Sequence, residues 1–82
     1  MTAQPYTEAP SLNSFGARLA LIRWAQRWNI KEAALACRVP QASWREWELS
    51  GRMPRGLVEV AAKISEATGY DHYWVLTGTE KA

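Results

Sequence analysis

Residues 29–48 read NIKEAALACRVPQASWREWE and contain two short stretches with helical spacing on either side of a central Val-Pro pair. Asn29 is a good N-cap for a helix over about residues 30–37, whose small residues allow a neighbouring helix to approach closely. Pro40 is tolerated in the first turn of a helix, where its missing N–H would have no partner, so another helix is predicted from there to about Leu49. The stretch therefore predicts two helices joined by a turn of three or four residues.

The second of these helices has tryptophans on one face and mostly polar residues on the other. Trp44 and Trp47 lie three residues apart, so both can point into a core formed with the two preceding helices. The positions that then face outward are Gln41, Ala42, Arg45 and Glu46. The helix is thus predicted to combine a rigid buried side with a polar surface that can contact a partner.

The rest of the chain predicts an all-α, compact bundle of about five short helices. A first helix begins after Ser14 and ends at Trp28, and Leu21, Trp24 and Trp28 are expected to widen its buried face. A fourth helix ends at Gly69, a typical residue for the position after a helix C-terminus. Its buried face is predicted to contain Leu57, Val60, Ala61, Ile64 and Ala67.

A short fifth helix is predicted between Asp71, as its N-cap, and Gly78. Residues 1–13 combine two prolines with polar residues and show no periodicity, which predicts a flexible N-terminal tail. The domain is therefore expected over residues 14–78, followed by a short C-terminal end at 79–82.

Length and composition limit the possible functions. With 82 residues the chain should form one domain around one modest core. It has no apolar run long enough for a membrane span and no signal peptide, so a cytoplasmic protein without a membrane partner is expected. Cys37 and His72 are single residues of their kinds, which excludes an internal disulfide and a zinc site. We expect no cofactor, and we expect Cys37 to be a buried core thiol.

Positive charge is concentrated in the middle of the chain. Residues 14–56 contain eight basic and three acidic residues, although the whole chain has a net charge of only +2. A basic region on a small domain favours a polyanionic partner over a merely solvated surface.

Several residues along the chain occur in a characteristic order. They are Arg23, Ala34, Trp47-Glu48, Pro54 and a closing YWVLTG at 73–78. In this order and spacing, residues 14–78 resemble the DNA-binding domain of lambda-repressor-like, Cro/cI-type proteins (the XRE family). That family has an arginine in its first helix, an alanine in the second, a recognition helix followed by Trp-Glu, a later proline and a closing DWLLTG. The resemblance implies a helix-turn-helix formed by the second and third helices.

The resemblance also implies roles for individual residues. It implies a partly buried ion pair between Arg23 and Glu48. Base edges in the major groove would be contacted by Gln41, Ala42, Arg45 and Glu46. The DNA backbone would be contacted by Asn29, Lys31, Ser43, Arg52 and Arg55. The two-fold contact of a homodimer would be formed by Tyr70, Tyr73, Trp74 and Val75.

Three positions leave questions open. Glu46 is repelled by phosphates unless it accepts from a cytosine amino group or pairs with an arginine such as Arg45, and we favour the pairing. Arg38 stands where the family usually has a glycine, so either it adopts a positive φ or the turn is built differently. Ile30 stands where the family commonly has a glutamine that clamps a phosphate.

The expected function is a sequence-specific, double-stranded DNA-binding transcriptional regulator. It would be a phage-type repressor or Cro-like protein, without a small-molecule substrate, that occludes a promoter as a dimer on a near-palindromic operator. One alternative is an antitoxin or excision-type regulator of the same fold, and another, favoured by Ile30, is a helical protein-interaction module that has lost DNA binding. An enzyme is not expected, because the sequence shows no paired carboxylates, Ser/His/Asp set or phosphate-cradling glycine loop.

Overall fold

A computed structural model describes residues 14–79, and these form an all-α bundle with no strand. The helices are α1 (Phe15–Gln26), α2 (Ile30–Cys37), α3 (Gln41–Leu49), α4 (Leu57–Thr68) and α5 (His72–Thr77). The tail predicted for residues 1–13 lies outside the described residues, as do residues 80–82. Within residues 14–79, no helix has the length and apolar character needed to cross a membrane.

The helix ends confirm most of the predicted caps. The side chains of Ser14, Asn29 and Asp71 accept hydrogen bonds from backbone N–H groups in the first turns of α1, α2 and α5. At Asn29 the bond is reciprocated, because the Glu32 carboxylate accepts from the Asn29 backbone N–H at 2.8 Å. The glycines predicted to end α4 and α5 are both in the left-handed conformation. Local capping therefore fixes where most of these helices begin and end.

The core lies between all five helices, with the fully buried indole of Trp44 as its largest member. α3 contacts both α1 and α2, while α5 contacts α1 and α4, and α2 also contacts α4. The buried apolar residues are Phe15, Leu19, Ile22, Ala33, Ala34, Cys37, Trp44, Trp47, Ala61, Ile64 and Val75. Trp44 and Trp47 both belong to α3, so the close packing of these two side chains in the core sets the orientation of α3.

α1 and α3 pack very closely at Gly16. A Cβ atom at this position would lie 2.6 Å from the backbone oxygen of Trp47, which is shorter than any normal contact. Beside it, the ring of Phe15 meets the ring of Trp47 edge to face, with ring centroids 6.3 Å apart. The glycine therefore allows the backbones of the two helices to approach.

The predicted end of α1 and three of the positions predicted to be buried were wrong. α1 ends at Gln26 rather than Trp28, because Arg27 adopts a left-handed conformation with φ 61° and closes the helix. Leu21 and Trp24 are 41% and 77% exposed, since they lie on the side of α1 that faces away from the bundle. Trp28 does pack against the core. In α4, Ala67 is exposed, although the other four predicted positions are buried or pack on the core.

Candidate nucleic-acid interface

A three-residue turn joins α2 to α3 and sets the direction of α3. Arg38 closes α2 with φ 59°, so of the two alternatives for this turn the structure adopts the positive φ. Its backbone N–H donates to the Leu35 oxygen at 3.2 Å, and the N–H of Val39 donates to the Ala34 oxygen at 3.0 Å. These two hydrogen bonds are typical of an α-helix that ends on a residue in the left-handed conformation. Here that residue is an arginine, whose Cβ atom makes the conformation sterically unfavourable.

The outward side of α3 carries the residues predicted to contact base edges. Trp44 and Trp47 are buried, while the four candidate base-contacting residues are exposed and Ser43 is half-buried. A single shallow depression of the surface is lined by Gln41, Ala42, Ser43, Arg45 and Glu46. The structure therefore brings these five residues together at one face of the first two turns of the helix.

The structure also brings Arg23 and Glu48 together and ties α1 to α3 through them. The guanidinium donates from Nε to Oε1 at 2.9 Å and from Nη2 to Oε2 at 2.7 Å. Trp44 donates from its indole Nε1 to the same Oε1 at 2.8 Å. The Glu48 side chain is only 5% exposed and that of Arg23 21% exposed. This bidentate arrangement holds α3 in a fixed rotation against α1.

The Glu48 carboxyl is stabilised in its charged form. Burial by itself raises its pKa, but the hydrogen bonds from Arg23 and Trp44 and the positive charge of Arg23 outweigh that effect, so the pKa lies below its usual value. The hydrogen bond to Glu48 likewise raises the pKa of Arg23 against the opposing effect of burial. Arg23 and Glu48 are therefore both charged near neutral pH.

Glu46 pairs with an arginine, as favoured above, but the arginine is Arg52 and not Arg45. Its Oε2 atom lies 3.5 Å from Nη1 of Arg52, in the loop after α3, and both side chains are exposed. Neighbouring residues of a helix point in directions about 100° apart, so Arg45 does not face Glu46. The expected Arg45 pair is thus replaced by an open contact that connects α3 to the following loop.

The residues predicted to contact the DNA backbone lie on three segments of the chain. Lys31, Arg52 and Arg55 are exposed, and so is Asn29, whose side-chain oxygen accepts from the Glu32 N–H at 2.8 Å. Ser43 is half-buried. Ile30 packs against the core.

The basic middle of the chain is divided between surface and interior. Six of its eight basic residues are exposed, namely Arg27, Lys31, Arg38, Arg45, Arg52 and Arg55. Arg18 is buried and donates from Nε to the Val75 oxygen at 2.9 Å and from Nη2 to the Leu76 oxygen at 3.2 Å. Burial lowers its pKa. Sequence reasoning missed this role, because the acceptors are backbone oxygens at the other end of the chain and leave no sequence signal.

The residues proposed for dimer contact are less accessible than predicted. Val75 is fully buried in the core, so its assignment to a dimer contact was wrong. Tyr70 and Trp74 are half-buried and stack on each other, with ring centroids 5.6 Å apart. Tyr73 is the most exposed of the four.

The thiol and the imidazole lie outside this surface. Cys37 is fully buried, and burial raises the pKa of its thiol to about 11, which makes it a core residue with little thiolate. His72 is exposed at the start of α5.

Comparison with known proteins finds no family model, no curated protein and no solved structure that matches this chain.

Proposed function

We propose that this protein is a sequence-specific, double-stranded DNA-binding transcriptional regulator in which α2 and α3 act as a helix-turn-helix. The observation that carries the proposal is the arrangement of α3. Its inner side is fixed by two buried tryptophans and by the Arg23–Glu48 pair, while polar side chains line its outer side. A rigid helix that presents polar groups from its first turns is what major-groove recognition requires.

The residues on α3 have the chemistry for base contacts. Glutamine can pair in a bidentate way with adenine, and arginine with guanine, which assigns direct base contacts to Gln41 and Arg45. Ala42 offers a methyl group for contact with thymine. Arg52 and Arg55 lie exposed in the loop after α3, where they would bind phosphates without reading sequence. The surplus of exposed cations supports the same assignment.

As a regulator, the protein would bind a near-palindromic operator as a homodimer and occlude a promoter, as a phage-type repressor or Cro-like protein does. This function places it in the cytoplasm of a bacterial cell or of an infected host. An antitoxin or excision-type regulator would use the same surface on DNA and differ in its partner.

Selection of bound sequences from a random duplex library, followed by binding measurements on single-base variants of the selected site, tests the proposal. Arg45→Ala should lose about 1–3 kcal/mol of discrimination at one base pair. Arg55→Ala, at an exposed cation of the loop after α3, should weaken binding to all variants equally and reduce the salt slope by about one. Lys63→Ala removes an exposed cation on α4 whose Nζ donates to the Arg38 oxygen at 3.4 Å. It is the control, and once a thermal melt shows that it folds like the parent, it should leave the base discrimination and the salt slope unchanged.

Equal losses across all single-base variants for Arg45→Ala would contradict the assignment of α3 as the recognition helix. A protein-interaction module is the second candidate, because Ile30 packs on the core and Trp24 offers a large apolar side chain to a partner. That candidate predicts no binding to random duplex and hence no dependence of affinity on salt.

A further inference from the structure

α1 presents an apolar face to solvent. Ala17, Ala20, Leu21 and Trp24 follow one another at the spacing i, i+3, i+4, i+7 and so lie along one side of the helix, which we call the α1 stripe. The polar residues of α1 are Arg18, Arg23 and Gln26, and they lie elsewhere around the helix. A helix without polar residues on its outer side is expected to be covered.

The two ends of the α1 stripe have opposite shapes. Leu21 and Trp24 form a projection at the C-terminal end, where the indole is largely exposed. At the N-terminal end, Ala17 and Ala20 line a groove of about 550 Å³ whose other apolar walls include the exposed side chains of Leu49 and Met53. A bulky projection and an apolar groove therefore occur on one surface of the same chain.

We propose that the α1 stripe is the contact surface for a second copy of this chain, packed antiparallel about a two-fold axis near Ala20 and Leu21. In that arrangement the Trp24 indole of each copy enters the groove beside Ala17 of the other. A two-fold contact uses the same patch on both chains, so the patch must be self-complementary, as a projection and a groove at its two ends are. The small alanines let the helices approach closely.

The charge of the stripe is compatible with a second copy. None of its four residues is charged, so two identical surfaces meet without repulsion. The charged residues that line the groove, Arg18 and Glu48, are already hydrogen-bonded within their own chain, so an entering indole leaves no ion without a partner. Arg27 is exposed beside Trp24 but lies outside the stripe.

This inference does not rest on DNA binding. None of the candidate base-contacting residues of α3 lines the groove, so the dimer leaves them accessible. A contact built from a few large apolar side chains of each copy is small for a specific interface, for which about 1,000 Å² is the usual lower limit, and we expect a dissociation constant in the micromolar range.

Sedimentation equilibrium of the full chain without DNA tests the contact. The parent should have the mass of two chains at tens of micromolar, and Trp24→Glu should weaken the dimer by about tenfold or more. Trp24 is exposed, so a circular dichroism melt should show that the variant folds like the parent. Leu35→Glu places the same charge at an exposed leucine of α2 and is the matched control, which should remain dimeric.

An exchange of side-chain size between positions 17 and 24 tests the antiparallel orientation of the two helices. Ala17→Trp alone should weaken the dimer, because it places a second indole opposite Trp24, whereas the double variant Ala17→Trp/Trp24→Ala should recover it by exchanging projection and groove. A parent that is monomeric at all concentrations overturns the proposal. So does a dimer that dissociates with Tyr73→Glu but not with Trp24→Glu, which would place the contact on α5.

Discussion

Among single residues, Glu48 has the largest effect that we expect from one substitution. Its carboxylate receives three hydrogen bonds, two from Arg23 and one from Trp44, in a nearly dry site. Glu48→Ala leaves the guanidinium without its charged partner, although its bond to the Trp28 oxygen remains. The change should cost about 3 kcal/mol, the lower end of the range for a buried pair, because Arg23 partly reaches solvent. A thermal melt should show a loss of about 10 °C or more. A melting temperature within a degree or two of the parent would contradict the role of the pair.

The same carboxylate predicts how stability depends on pH. The pKa of Glu48 is lower in the folded protein than in the unfolded chain, so its contribution is complete above the unfolded value of about 4.3 and is lost as the pH falls through the folded value. The parent should therefore lose stability on acidification below about pH 4.3. Urea unfolding at a series of pH values should show a weaker acid dependence for Glu48→Gln, and identical slopes for both proteins would exclude Glu48 as the cause.

Two arginines occupy backbone conformations that suit glycine. Arg27 and Arg38 have φ of 61° and 59°, where a Cβ atom costs about 1–2 kcal/mol. Arg27→Gly relieves that strain but gives the unfolded chain more freedom, so a net gain of about 0.5–1 kcal/mol is expected in chemical unfolding. Arg27→Ala keeps the strained Cβ and is the control. A stability of Arg27→Gly at or below that of Arg27→Ala would show that the strain is not relieved.

At the scale of helices, Gly16 decides how closely α1 approaches α3. Replacement of a glycine within a helix by alanine ordinarily stabilises the folded protein by about 1 kcal/mol. Here the new Cβ atom would meet the backbone oxygen of Trp47 at 2.6 Å, which no side-chain rotation can relieve. Gly16→Ala should therefore destabilise the protein by about 1–3 kcal/mol in a denaturant titration. An increase in stability would mean that the two helices can separate without cost.

The helices themselves could be read from the sequence because their signals are local. Ser14, Asn29 and Asp71 cap helices within three residues of themselves, and Gly69 and Gly78 end helices through their own backbone conformation. The inner face of α3 was equally predictable, because two tryptophans three residues apart fix it.

The orientation of α1 could not be read in the same way. Its sequence is apolar around most of its circumference, so periodicity does not distinguish the side that faces the core from the side that carries Trp24. The partners of Arg18 and Glu46 also escaped prediction, since one depends on contacts between distant segments and the other on the path of a loop. Both are properties of the assembled fold.

At the scale of the whole molecule, Arg18 joins the first helix to the last. Its guanidinium donates to the backbone oxygens of Val75 and Leu76 in the buried space between α1 and α5. Arg18→Ala removes these charged donors and leaves buried oxygens unpaired, which should cost about 3 kcal/mol in thermal unfolding. Hydrogen exchange should be accelerated most in α5, and uniform acceleration along the chain would contradict a specific link between the two ends.

The bond between Arg18 and Val75 spans 57 residues of a short chain. As the protein is synthesised, Arg18 is added 57 residues before its acceptor Val75, so this link between α1 and α5 cannot form until the last helix of the domain is present. A truncation that ends before Val75 therefore lacks the bond that joins the first helix to the last.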